Sequence, residues 1–124
     1  MKQIYSIGHS TRTWEEFLQE LEKVNYSYLA DIRSKPFSRY CPQFNKNRMQ
    51  EQIWDKYIFF WNTLWWMDED ISYERFIYWI EMLAELAEKS KVVFMCSERK
   101  FKECHRFLKV TPELENRGFK VIHL

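Results

Sequence analysis

The stretch Tyr73–Cys96, YERFIYWIEMLAELAEKSKVVFMC, decides the fold class. Tyr73, Phe76, Ile77, Ile80, Leu83, Ala84 and Ala87 recur at i, i+3, i+4, i+7 spacing and form one apolar face. Glu74, Glu81, Glu85 and Glu88 lie largely on the other face, so the segment is an amphipathic helix. After Lys91 the polar face disappears. Val92-Val93-Phe94-Met95 has no polar residue at either parity, which is the composition of a strand covered on both sides. A helix leading into such a strand is one half of a parallel crossover unit.

The same alternation extends outward in both directions. Ile4-Tyr5-Ser6-Ile7 reads as a strand ending at Gly8-His9-Ser10. Thr13-Trp14-Glu15-Glu16 has the capping-box form and opens a helix to about Val24. Tyr26 to Ile32 reads as a second strand, Met49 to Lys56 as a short helix and Tyr57 to Trp61 as a third strand. Beyond Cys96 a helix opens near Lys102 to Cys104. Pro112 is expected to interrupt it, with Thr111 capping a restarted helix. Gly118 closes that helix, and Phe119 to His123 is the last strand. The expectation is a single α/β domain over residues 1–124, three-layered and Rossmann-like. Its five-stranded sheet is mainly parallel, in the order 3-2-1-4-5, with helices on both faces.

Composition narrows the function classes. Glycine occurs only twice, at Gly8 and Gly118, which excludes a Walker loop and a glycine-rich dinucleotide turn. Three cysteines, an odd number, argue against a secreted disulfide framework and for a cytoplasmic setting. No stretch approaches a membrane helix, and no basic-then-apolar leader opens the chain. Net charge is +1, but charge is segregated. Ile32 to Gln50 carries Arg33, Lys35, Arg39, Lys46 and Arg48 without an acid, whereas Asp68 to Glu88 has seven acids against Arg75.

In an open parallel sheet, ligands bind beyond the carboxyl ends of the strands, near the switch in strand order. His9 and Ser10 follow strand 1, Asp31 and Arg33 close strand 2, and Cys96 and Glu98 close strand 4. The basic segment with Arg39, and the helix opening at Cys104-His105-Arg106, flank the same rim. Arg33, Arg39 and Arg106 can hold a carboxylate or phosphate, or can be absorbed in ion pairs, Arg33 with Asp31 or Glu98. His9 can exchange protons near neutral pH or can shape its turn. Cys96 becomes a nucleophile only with a lowered pKa, and buried cysteine is common as a small hydrophobe. The cysteine-phosphatase loop is absent, because Lys102 stands where that signature has arginine. Cys96, Cys104 and His105, with Cys41 or His9 as a further ligand, lack the spacing of a zinc ribbon or finger. Neither a metal nor a cofactor is expected.

Ile7-Gly8-His9-Ser10, Asp31-Ile32-Arg33-Ser34, Pro36 with Ser38-Arg39, Pro42-Gln43-Phe44-Asn45, Cys96-Ser97-Glu98 and Cys104-His105-Arg106 occur in that order. Together they resemble the domain-of-unknown-function family DUF488, from Ile4 to Leu124. The resemblance implies an α/β fold with a polar cleft and carries no established reaction. Pro112 stands where members of that family usually have an uninterrupted helix.

The expected function is a small enzyme or ligand-binding domain with an anion-binding cleft, acting on a nucleotide, a nucleic acid or another anionic small molecule. His9, Glu98 or Cys96 would supply the chemistry. Ser10, Asp31, Arg33, Arg39, Cys104, His105 and Arg106 would bind the ligand. Phe37, Tyr40 and Phe44 interleave with the basic segment, either to stack bases or to anchor the loop. The alternatives are a non-catalytic protein-interaction module and a cysteine-based redox or metal switch. Trp65 and Trp66 are candidates for a homodimer contact.

Overall fold

The computed structural model describes residues 2–33, 39–60, 73–96 and 105–124. Five strands form one parallel sheet: β1 (Lys2–Gly8), β2 (Tyr28–Asp31), β3 (Tyr57–Phe59), β4 (Val92–Cys96) and β5 (Phe119–His123). Four helices connect them: α1 (Trp14–Lys23), α2 (Lys46–Ile53), α3 (Tyr73–Lys89) and α4 (His105–Asn116). The three-layer α/β architecture agrees with the sequence reading.

The strand order is β3-β2-β4-β1-β5, so relative to 3-2-1-4-5 strands β1 and β4 exchange places. The reason is burial. Every residue of β4 is buried, whereas β1 begins with two exposed residues, Lys2 and Gln3. The strand with no polar face takes the middle of the sheet, flanked by β2 and β1. Its alternate residues feed two cores. Val92, Phe94 and Cys96 pack with Ile80 and Leu83 of α3 and with Val110 and Leu114 of α4. Val93 and Met95 pack with Phe17 and Leu21 of α1 and with Met49 and Ile53 of α2.

Local signals explain the helix ends. Thr13 Oγ1 accepts from Glu16 N at 3.1 Å, and Thr13 N donates to Glu16 Oε1 at 3.0 Å, closing the capping box. At the other end of α1, Asn25 adopts φ 53°, Asn25 N donates to Glu22 O and Tyr26 N to Leu21 O. This is a Schellman closure with asparagine in the role glycine usually fills. Gly118, at φ 86°, serves the end of α4.

Pro112 does not interrupt α4, which runs unbroken from His105 to Asn116. Val110 and Leu114, both fully buried, straddle the proline and hold both halves of the helix on the sheet. Thr111 is therefore not a cap, and its Oγ1 is buried without a hydrogen-bond partner. The helix before β3 starts earlier than its apolar pattern suggests, at Lys46, because a single 3-10 turn over Pro42–Phe44 leads straight into it. It also ends earlier, at Ile53, giving way to a 3-10 turn over Trp54–Lys56. No helix among the described residues is long and apolar enough to cross a membrane. Trp65 and Trp66 lie outside the described residues.

Candidate functional site

The order of the sheet defines its topological switch point. β1 and β2 lead into α1 and α2 on one face, while β4 between them leads into α4 on the other. The strand ends therefore part around β4, which is the switch-point geometry. Backbone bonds hold the rim together: His9 N donates to Cys96 O at 3.1 Å and Ile32 N to Met95 O at 3.2 Å.

His9 is buried at this point. Its Nδ1 lies 2.9 Å from Ser10 O, and a carbonyl can only accept, so Nδ1 carries the proton. The lone pair of the neutral ring is then on Nε2. Burial holds the His9 pKa below its usual 6.5, the Ser10 carbonyl works against that shift and the Arg33 charge adds to it. Burial thus favours the neutral ring of His9 over the cation. Its ring stacks on Phe44 at 4.7 Å and 24°.

Ser10 takes φ 45°, in the left-handed region that side chains disfavour. The turn it serves is closed by Arg12 N donating to His9 O at 3.0 Å. The Ser10 carbonyl also accepts from Cys41 Sγ at 3.2 Å, so His9 and Cys41 share one acceptor. Gln43 Nε2 donates to Arg12 O at 2.9 Å and ties the 3-10 turn to the same loop.

Asp31 and Arg33 form a buried pair. Asp31 Oδ1 accepts from Arg33 N at 3.1 Å and Nε at 2.9 Å, and Oδ2 from Arg33 Nη2 at 2.7 Å and the Tyr57 hydroxyl at 2.5 Å. Four donors fill the acceptor positions of the carboxylate. Arg33 Nη2 also donates to Phe44 O at 2.6 Å. Burial works to lower the Arg33 pKa, but the hydrogen bonds and charge of Asp31 outweigh it and raise the value. Burial, followed by the Asp31 charge, pushes the Tyr57 hydroxyl well above its usual range. The pairing of Arg33 with Asp31, one of the two roles open from sequence, is the one present.

Arg39 is exposed, next to Tyr40, which is 95% exposed. Phe44, by contrast, is fully buried and anchors the loop, and Phe37 lies outside the described residues. Cys96 is buried at the end of β4, among the α3 and α4 residues. Glu98 and Cys104 lie outside the described residues, and His105 and Arg106 stand in the first turn of α4. Among the described residues no three His, Cys, Asp or Glu side chains are grouped to hold a metal ion.

The Asp31, Arg33 and Tyr57 part of this geometry lies in the segment from α1 through β3, and this is the segment with a recognisable pattern. Residues 13–64 match DUF488, described as a domain of unknown function. The DUF488 match contains Asp31, Arg33, Arg39, Cys41, Phe44 and Tyr57. His9 and Cys96 lie outside it, so it covers less of the chain than the ordered motifs suggest. No curated protein and no solved structure matches the chain.

Two contributors escaped the sequence reading. Tyr57 reads as one more aromatic of an apolar strand, yet a buried tyrosine hydroxyl needs a partner, and Asp31 sits on the adjacent strand. Cys41 sits in a proline-flanked loop, where nothing local marks it as a neighbour of Ser10.

Proposed function

We propose that this chain is a small single-domain, cytoplasmic enzyme or ligand-binding domain. Its site is the crevice around the carboxyl ends of β1, β2 and β4, and its ligand is anionic, with a nucleotide or nucleic acid favoured. The observation that carries the reading is His9. A buried histidine, neutral by virtue of its burial and with Nδ1 already committed, offers Nε2 as a proton acceptor at the switch point. Arg33 is a positioning residue in this reading. It clamps Asp31 to the Phe44 carbonyl, and Phe44 is the surface on which His9 rests. The anion then falls to Arg39 and Arg106. An exposed aromatic beside an exposed arginine, Tyr40 with Arg39, suits a base and its phosphate.

A thermal-shift panel at low salt tests this. It contains phosphate, mono- and dinucleotides, short single-stranded DNA and RNA, and zinc, run on wild type, Arg39→Ala and His9→Asn. A ligand that binds only the folded state raises the melting temperature. The expected result is a shift with a phosphate-bearing ligand that is lost in Arg39→Ala. A shift with zinc alone favours the cysteine-based switch. No shift with any ligand, or one indifferent to both substitutions, overturns the reading and favours a protein-interaction module.

A further inference from the structure

We infer that Arg12, in the loop between β1 and α1, grips a phosphate group of the ligand at the carboxyl end of β1. The inference rests on the proposed function and names a contact which that reading leaves out. Three arginines among the described residues are buried or partly buried: Arg12, Arg33 and Arg117. Arg33 is paired with Asp31, and Arg117 with Glu113 and Glu81. Arg12 alone of the three has no ion-pair partner among the described residues. Glu16, one helical turn further on, is drawn back onto Thr13 N instead. A guanidinium stays charged, so Arg12 is a partly buried cation open to an anion from outside the chain.

The loop fixes where that cation stands. Arg12 Nε donates to Gly8 O at 3.2 Å. Gly8 is the last residue of β1 and is in register with Cys96, the last residue of β4. The guanidinium is therefore level with the strand ends, and the carbonyl that anchors it belongs to the peptide bond leading into His9. The bond from Nε uses one of the five N–H donors and holds the plane of the group. The four N–H donors on Nη1 and Nη2 have no partner among the described residues. Two oxygens of one phosphate fit that edge of the fork.

The backbone of Arg12 is held as firmly as its Nε. Arg12 N donates to His9 O at 3.0 Å, and Arg12 O accepts from Gln43 Nε2 at 2.9 Å. Ser10, at φ 45°, turns the chain so that Arg12 folds back onto Gly8. Backbone strain of this kind persists where the surrounding structure over-determines it, and here it sets a cation in place before the ligand arrives. A group already fixed loses less freedom on binding than one on a free side chain.

The test is isothermal titration calorimetry of the full chain at low salt. The probes are inorganic phosphate, adenosine 5′-monophosphate, a short single-stranded DNA and adenosine. They are titrated into wild type, Arg12→Ala, Arg12→Gln, Arg12→Lys and Arg39→Ala, with circular dichroism reporting that each variant is folded. Wild type is expected to bind a phosphate-bearing probe, and Arg12→Ala to bind the same probe at least tenfold more weakly. Arg12→Gln keeps a donor for Gly8 O and loses the charge, so it is expected to bind as poorly as Arg12→Ala. Arg12→Lys keeps the charge without the planar fork and is expected to recover part of the loss. Adenosine, which has no phosphate, is expected to distinguish none of the Arg12 variants from wild type. Phosphate-dependent binding that is lost in Arg39→Ala but kept in Arg12→Ala or Arg12→Gln overturns this inference and leaves the functional reading standing. A loss that adenosine shares also overturns it, because Arg12 then does not act through the phosphate. A wild type that binds none of the phosphate-bearing probes overturns both.

Discussion

The Tyr57 hydroxyl donates to Asp31 Oδ2 at 2.5 Å, the same oxygen that Arg33 Nη2 holds at 2.7 Å. An edge-strand tyrosine thereby completes a buried ion pair on the neighbouring strand. The pair in turn reaches the Phe44 carbonyl, and the Phe44 ring lies against His9. Packing, charge and the proposed chemistry meet in this one chain of contacts.

Arg33→Ala should destabilise the fold by about 3–5 kcal/mol, because it leaves Asp31 buried without its cation. Urea unfolding of the variant against wild type measures this directly. A loss below about 1 kcal/mol would mean that the pair is solvated rather than buried. Arg33 is for this reason a poor probe of ligand binding, and Arg39, which is exposed, is the clean one.

Tyr57→Phe removes one donor and keeps the ring. Asp31 retains three donors from Arg33, so the expected cost is about 1.5–3 kcal/mol, the range for a hydrogen bond to a charged group. Unfolding by urea gives the value. Removing the pair and the tyrosine together should cost less than the sum, since both act on one carboxylate.

His9 makes stability depend on pH in a defined direction. Its pKa is lowered by burial, so below about 6.5 the unfolded chain takes up a proton that the folded chain does not. Its contribution is complete above that pH and is lost as pH falls toward the folded value. His123, also lowered chiefly by burial, adds a slope of the same sign. In a His123→Gln background, His9→Asn should flatten the remaining fall in melting temperature between neutral and mildly acidic pH. An unchanged slope would show that His9 is not the group responsible.

The parts of the fold that could be read from sequence are those set by local rules. The capping box at Thr13, the apolar stripe of α3 and the featureless apolar run of β4 each act within a few residues. Strand order is a comparison between strands. The signal was present, since β4 lacks a polar face, but ranking it above β1 requires knowing that Lys2 and Gln3 reach the surface. The site divides in the same way. His9, Asp31 and Arg33 were visible because strand ends can be found in sequence. The contacts of Tyr57 with Asp31 and of Cys41 with Ser10 span 26 and 31 residues, and no local pattern encodes them.

α4 supplies the sharpest case of tertiary packing overriding a local signal, and it predicts two stabilising substitutions. Pro112 is exposed inside a continuous helix, where its ring supplies no N–H to the turn before it. The helix penalty against alanine is about 3 kcal/mol, offset by roughly 1 kcal/mol of unfolded-chain entropy. Pro112→Ala should therefore stabilise by about 1–2 kcal/mol. Thr111→Val replaces a buried hydroxyl that has no partner with a methyl of the same shape. It should gain about 1 kcal/mol, at the low end of the cost of an unsatisfied buried group. Both appear as raised melting temperatures. A fall for Pro112→Ala would mean that the proline holds a bend the core needs, and a fall for Thr111→Val would mean that its hydroxyl has found a partner in solution.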